Sequence, residues 1–318
     1  MAALGYTLSC EEFDAPTLVA QAERAERAGF AFAGISDHFH PWVDAQGESP
    51  FVWGVLGAIA ERTERLQLLT GVTCPAQRIH PALVAQAAAT AASLLPGRFS
   101  LGVGTGENLN EHVVGERWPP TVERQDRLEE AIEVIRELWT GKLTSHRGTH
   151  FTVENARLYS LPDELPPLLL AVAGESSVEL AARHSDGIIG TSPVAESVDQ
   201  FRKEGGEGKP TYGQLHVCWA EDEDSAKQTA LERWPNAAIS GGYSLELTMP
   251  AHYEEAAELL DADQVAESVT CGPDPSRHRA AIQEYLDTGY DHVYVHQVGD
   301  DQEGFFRFYE QEILPAFN

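Results

Sequence analysis

Lysine is nearly missing from this chain. Only Lys142, Lys203, Lys209 and Lys227 occur in 318 residues, and 50 acidic side chains face 22 basic ones, a formal charge of −28. Such a surface repels nucleic acid and anionic lipid, so no nucleic-acid partner and no membrane partner is expected. Scarce lysine with this much acid predicts the strongly hydrated surface of a salt-loving source, with an ordinary acidic protein as the alternative. Cysteine is equally sparse. Cys10, Cys74, Cys218 and Cys271 lie far apart with no C-x-x-C pair, which excludes a zinc ribbon or dithiol motif and predicts a reducing compartment. No apolar run approaches the roughly 18 residues of a membrane span. The start, MAALGYTLSCEEF, has neither the basic region nor the apolar stretch of a secretory signal. A cytoplasmic globular protein is the expectation.

What is present is a repeated alternation. Apolar runs rich in β-branched and aromatic residues predict strands at 4–8, 30–36, 66–72, 99–104, 167–172, 187–191, 214–219 and 292–296. Between them, helical periodicity predicts helices at 16–28, 81–94, 122–139, 177–184 and 277–288, the last stopped by Gly289. Continuous apolar strands alternating with helices imply a parallel sheet covered on its outer face. Eight such units predict an α/β fold closed as a (β/α)8 TIM-type barrel, one domain over residues 1–318. An open dinucleotide-binding sheet is the alternative, but GVGTGENLN lacks the G-x-G-x-x-G spacing and follows the fourth strand. Two insertions stand out. Residues 140–166 read as a hairpin, and residues 220–265 read as acidic, helical and interrupted by Pro235, Gly241-Gly242 and Pro250. Segments this long on a compact barrel serve as lids or contact surfaces.

A barrel of this type carries its chemistry at the C-terminal ends of its strands. After the second predicted strand stand Asp37, His38, His40 and Trp42; after the fourth stand Thr105, Gly106, Glu107 and Asn110. His38 is the natural general base, against a rim histidine that bonds a neighbouring loop. Glu107 is a proton donor if burial raises its pKa, or a carboxylate capping the next helix. Asp37 serves in catalysis or as a structural acceptor, and His40 supports from behind. Ala173-Gly174-Glu175-Ser176-Ser177 offers backbone N–H groups for a phosphate, or is a turn capped by Ser176 or Ser177. The histidines and acids lack metal-site spacing, so no metal is expected. Phe39, Phe51, Trp53 and Trp219 suit a small uncharged ligand, or the core.

SDHFHPW, GVTCPAQRIHPALVAQAAAT, LLPGRFSLGVGTGENLNE and GERWPP resemble the luciferase-like flavin and deazaflavin oxidoreductases. The similarity spans nearly the whole chain and is densest over residues 30–140. Within that group they look like the branch of F420-dependent glucose-6-phosphate and secondary-alcohol dehydrogenases. The resemblance implies a homodimer that holds coenzyme F420 across the barrel mouth, with a non-proline cis peptide at Gly71-Val72. It implies that His38 takes the proton of a small alcohol or sugar-like substrate, that Trp42 forms the wall beside it, and that Glu107 is the acid. Glu11 matches a glutamate near the substrate. Asp37, Gly71, Val72, Cys74, Thr105, Gly106, Asn110, Ala173 and Gly174 match or adjoin cofactor contacts.

Two departures qualify this. Where the sugar-phosphate enzymes place two lysines and an arginine, this chain reads Thr191-Ser192-Pro193-Val194, a lysine-free stretch over 240–262, and Ala266-Glu267-Ser268-Val269. No cation is expected there, so glucose 6-phosphate is not the expected substrate. In addition TCPAQRIHPA, HRGTHFTVENARLYSLP, GGEGKP and HVCWAEDEDSA resemble a small subfamily whose cofactor is read as ordinary FMN. An FMN-dependent reductase or monooxygenase is therefore the alternative, and a non-catalytic flavin-binding protein a third possibility.

Overall fold

The computed structural model describes residues 2–239 and 242–317; Gly241, one of the predicted helix interruptions, lies outside them. In chain order the strands are β1 (Ala3–Leu8), β2 (Phe32–Ile35), β3 (Gln67–Thr70), β4 (Phe99–Val103), β5 (Thr144–Arg147), β6 (Thr152–Ala156), β7 (Leu168–Ala171), β8 (Gly187–Gly190), β9 (Thr211–Cys218), β10 (Thr270–Cys271) and β11 (His292–Gln297). All eight predicted strands are among them. They run parallel as β9-β11-β1-β2-β3-β4-β7-β8, and β8 pairs back onto β9 to close the barrel. β9 is long enough to serve two neighbours besides β11. It pairs β8 through residues 211–213 and the short β10 through Val217 and Cys218.

Local chemistry fixes the helices around the ring. The helix Ala15–Ala28 starts where the Asp14 carboxylate accepts from Thr17 N–H at 2.9 Å, and stops at Gly29 in the left-handed region (φ 99°). Pro275–Asp287 starts on Asp274, two residues earlier than the sequence pattern suggests, and gives way at Gly289 (φ 102°). Val52–Ala60 escaped sequence analysis. It is apolar nearly all round (VWGVLGAIA), so it shows no polar face to betray a helical period.

The barrel interior is a packed layer of Phe32, Leu69, Leu169, Ile189, Tyr212 and Tyr294. Above it the strands open into a cavity; outside it the helices bury the main core. The two insertions behave differently. β5 and β6 form the expected hairpin, docked on the helix Thr121–Leu138 by Glu130, which accepts from the N–H groups of Thr149, His150 and Phe151. Residues 220–265 instead form the helices Glu223–Arg233, Pro250–Ala257 and Ala262–Val265, folded across the barrel mouth.

Gly102 and Gly104 belong to the barrel and not to a dinucleotide loop. A Cβ on Gly102 would stand 1.9 Å from the Thr70 carbonyl oxygen. Gly102→Ala is expected to cost at least ~3 kcal/mol in urea unfolding, since strand backbone must move. Gly54→Ala, in the helix Val52–Ala60 with nothing within 4 Å, is expected to gain up to ~1 kcal/mol. Equal behaviour of the two variants would refute the steric argument.

Candidate active site

The mouth of the barrel encloses a cavity of about 1320 Å³. Small-ligand pockets usually hold roughly 300–1,000 Å³, so this one has room for a cofactor and a substrate together. Ten of the residues singled out from the sequence line it: Glu11, His38 and Trp42 on one side, Gly71, Val72, Thr105, Gly106 and Glu107 along the floor, and Ala173 and Gly174 at the far edge. Asp37, Cys74 and Asn110 are buried behind that wall.

His38 is the centre of the polar cluster. Its Nε2 lies 3.3 Å from Glu11 Oε1, and its ring packs 4.9 Å from that of Trp42. Glu11 is buried and held on its other oxygen by Ser36 Oγ at 2.5 Å and Ser9 Oγ at 3.2 Å. Burial alone would raise the Glu11 pKa; the His38 charge and the Ser36 hydrogen bond outweigh it, leaving the carboxyl below its ordinary value. At Nδ1 the ring meets a donor, Asn110 Nδ2 at 3.1 Å, and an acceptor, the His40 carbonyl at 3.2 Å. Asn110 Oδ1 accepts from Phe39 and His40 N–H, which fixes the amide so that Nδ2 donates. The same Nδ2 reaches Glu107 Oε2 at 3.3 Å and so couples the expected acid to the expected base. Protonated His38 finds an acceptor on each nitrogen.

Glu107 occupies the N-cap position of the short helix Asn108–Glu111, yet its side chain makes no cap bond. The capping alternative fails for that reason. Asp37 takes the structural alternative: Oδ2 accepts from Thr73 Oγ1 at 2.7 Å and Oδ1 from Arg78 Nη2 at 2.8 Å. Arg78 then reaches Glu111, whose Oε2 accepts from the Arg78 backbone N–H at 2.7 Å. Neither Arg78 nor Glu111 was singled out beforehand. A lone arginine in TCPAQRIHP and a glutamate at the end of GENLNE carry no signal until the fold joins them. His40 does support from behind, through its Nδ1 contact with the Leu109 carbonyl at 2.9 Å.

The floor fits a flat ring. Gly71-Val72 is a non-proline cis peptide, as the resemblance implied. Gly106 has φ 76°, and a Cβ there would meet Glu111 and Cys74 below 3 Å, so backbone alone forms this stretch. Three buried polar atoms of lining residues, Thr7 Oγ1, Arg124 Nε and Asn236 Oδ1, have no partner among the described residues, as groups that meet a ligand would. The turn after β7 is less open than expected. Ser177 Oγ accepts from the N–H groups of Ala173 and Gly174, which removes two donors from the proposed phosphate cradle.

The lid closes the opposite side. Asn108 N–H donates to the Leu245 carbonyl at 3.0 Å and Gln46 Nε2 to that of Arg233 at 2.8 Å. The lid's Trp234 lines the cavity, whereas Phe39, Phe51, Trp53 and Trp219 do not. The three stretches expected to lack a cation hold no lysine or arginine, but cations reach the lining from elsewhere: Arg124, paired with Glu246 at 3.2 Å, and Arg277, paired with Glu223 at 2.9 Å. Among the described residues no group of three or more His, Cys, Asp or Glu side chains could hold a metal ion, and no helix is long and apolar enough to cross a membrane.

Burial, with Glu107 and Asp37 adding repulsion, raises the Glu111 pKa from 4.5 to about 7 despite Arg78. A carboxyl so raised binds its proton more tightly when folded. Its stabilising contribution is full below the unfolded value and is lost as pH climbs to about 7. Relative to wild type, Glu111→Gln is therefore expected to gain roughly 2–3 kcal/mol in urea unfolding on going from about pH 5 to about pH 8. A difference that does not change with pH would contradict this.

The model of the luciferase-like monooxygenase family matches residues 2–292. The F420-dependent glucose-6-phosphate dehydrogenase of Microbacterium testaceum is 35% identical over 326 residues, covering 98% of this chain and 96% of that protein. The F420-dependent hydroxymycolic acid dehydrogenase of Mycobacterium tuberculosis is 36% identical over 321 residues, covering 98% and 87%. A solved F420-dependent secondary alcohol dehydrogenase, in complex with an F420-acetone adduct, superimposes with a TM-score of 0.93 at 27% identity, covering 100% of this chain and 99% of that one. With a closed parallel barrel, an acid–base cluster at its mouth and a family match over most of its length, this chain belongs to the luciferase-like monooxygenase family.

Proposed function

We propose that this protein is an F420-dependent dehydrogenase that oxidises a small alcohol or sugar-like substrate. The observation that carries the reading is the His38–Glu11 pair, set in a cavity large enough for both ligands and linked through Asn110 to Glu107. F420-dependent dehydrogenases at 35% and 36% identity support the choice of cofactor. The cofactor would rest on Gly71, Val72, Thr105 and Gly106, with Ala173 and Gly174 at its edge. When bound, it supplies the hydride acceptor for the carbinol carbon.

The protein's own work is proton handling and exclusion of water. In the tautomer whose Nδ1–H donates to the His40 carbonyl, His38 Nε2 is free to take the hydroxyl proton; the resulting imidazolium is held by Glu11 Oε1 and by the same carbonyl. Trp42 packs against the same imidazole and excludes water from it. Glu107, whose Oε2 accepts from Asn110 Nδ2, supplies a proton on the cofactor side from its other carboxyl oxygen.

The substrate is read as uncharged. Thr191, Ser192 and Pro193, then Ala266, Glu267, Ser268 and Val269, line the cavity where lysines would hold a phosphate, and the two arginines on the lining, Arg124 and Arg277, are already paired with Glu246 and Glu223. Turnover of glucose 6-phosphate matching that of neutral alcohols would overturn this part of the reading.

His38→Ala is expected to lower kcat by roughly 10²–10⁴ while the cofactor Kd changes only a few-fold. Steady-state kinetics with a fluorescence titration checks both, and an unchanged kcat removes His38 as base. Titration of the wild type with F420 and with FMN is expected to show tighter binding of F420. Preference for FMN would replace this reading with a flavin reductase or monooxygenase.

A further inference from the structure

A second imidazole system faces the same cavity and takes no part in the steps above. His216 on β9 and His296 on β11 are direct neighbours in the parallel register. Both line the cavity, and their Nδ1 atoms lie 3.0 Å apart. His296 Nε2 lies 2.7 Å from Glu12 Oε2, and the other Glu12 oxygen accepts from Gly299 N–H at 3.1 Å. Trp234 from the lid packs edge-on against His296, with ring centroids 4.2 Å apart.

The hydrogen-bond chain has one direction when both rings are neutral. A carboxylate only accepts, so His296 Nε2 carries the proton that binds Glu12. His296 Nδ1 is then a lone pair, and His216 Nδ1 must donate to it. That leaves His216 Nε2 as a bare acceptor, and it has no partner among the described residues. Burial, with His296 adding to it, pushes the His216 pKa down to about 3, which keeps the ring neutral. Glu11 and Glu12 are consecutive, and β1 lies between β2 and β11. One carboxylate therefore serves the histidine that follows β2, and the next serves the histidine pair on β11 and β9.

We infer that His216 Nε2 accepts a hydrogen bond from a second hydroxyl of the substrate, with Glu12 and His296 as positioning residues that set its tautomer. The substrate class is then a small neutral polyol, such as a vicinal diol or sugar-like alcohol, whose reacting carbinol meets His38 while another hydroxyl meets His216. This rests on the dehydrogenase reading for the identity of the reacting group, but its test does not require turnover.

The probes are 2-propanol, 1,2-propanediol and glycerol, titrated by tryptophan fluorescence into protein loaded with whichever of F420 or FMN it binds. Wild type is expected to bind the diol and triol more tightly than the monoalcohol, and His216→Phe to reduce that preference roughly tenfold, the effect of one neutral hydrogen bond. Histidine ¹⁵N chemical shifts of the wild type are expected to show an unprotonated His216 Nε2, and Glu12→Gln to redistribute the tautomers, which a merely structural Glu12 would not do. A wild type with no preference for extra hydroxyls, a protonated His216 Nε2, or an undiminished preference in the variant overturns the inference. The two wild-type measurements decide even if His216→Phe fails to fold. Selective binding of polyols without oxidation would instead count against the dehydrogenase reading alone.

Discussion

Arg78 is a buried cation between two carboxylates, and the mouth of the barrel is organised around it. Its guanidinium binds Asp37 at 2.8 Å and lies 3.6 Å from Glu111, while its backbone N–H also donates to Glu111. Asp37 immediately precedes His38, and Glu111 immediately follows Asn110. One side chain thus ties together the two loops that supply the imidazole and the amide that orients it. A buried ion cluster adds little net stability, because desolvation offsets most of the attraction. What it gives is a fixed separation between two segments far apart in sequence. Proton transfer needs that precision more than it needs an additional kcal/mol.

The fold was largely legible because its signals are local. Apolar runs gave each barrel strand, and Gly289 marked a helix end by chemistry that works over three or four residues. Val52–Ala60 was not legible, since its outer face carries glycine and alanine instead of a polar stripe. β10 was missed because two residues hold no periodicity; its existence depends on the length of β9. The site divides along the same line. His38, Trp42, Glu107 and Glu11, proposed from the motifs that carry the family resemblance, all line the same cavity at the mouth. Arg78, Glu111, Arg277 and the His216–His296 pair become meaningful only when the barrel closes, because their partners lie tens to hundreds of residues away.

The two insertions looked alike in sequence and have different places in the structure. The hairpin of β5 and β6 satisfies its own backbone through Glu130 and lines no part of the cavity. The later insertion gives its polar contacts to the rim, through Leu245 and Arg233, and sets Trp234 against His296. It turns an open barrel end into an enclosed volume. In a chain carrying −28 the few cations at the mouth are each matched by a carboxylate: Arg78 by Asp37 inside the wall, and Arg277 by Glu223 at its partly exposed rim.

The adjacency of Glu11 and Glu12 bears on the evolution of the loop after β1. Each carboxylate is committed to a histidine on a different neighbouring strand, so the spacing between them has no slack. Inserting or deleting a single residue between β1 and Glu11 would move both carboxylates one position and leave both imidazole systems without their acceptor. Substitutions can drift elsewhere on the rim, and the lid can lengthen or shorten. The length of this loop cannot, and among descendants that keep both histidine systems it should be invariant even where the identities of its other residues are not.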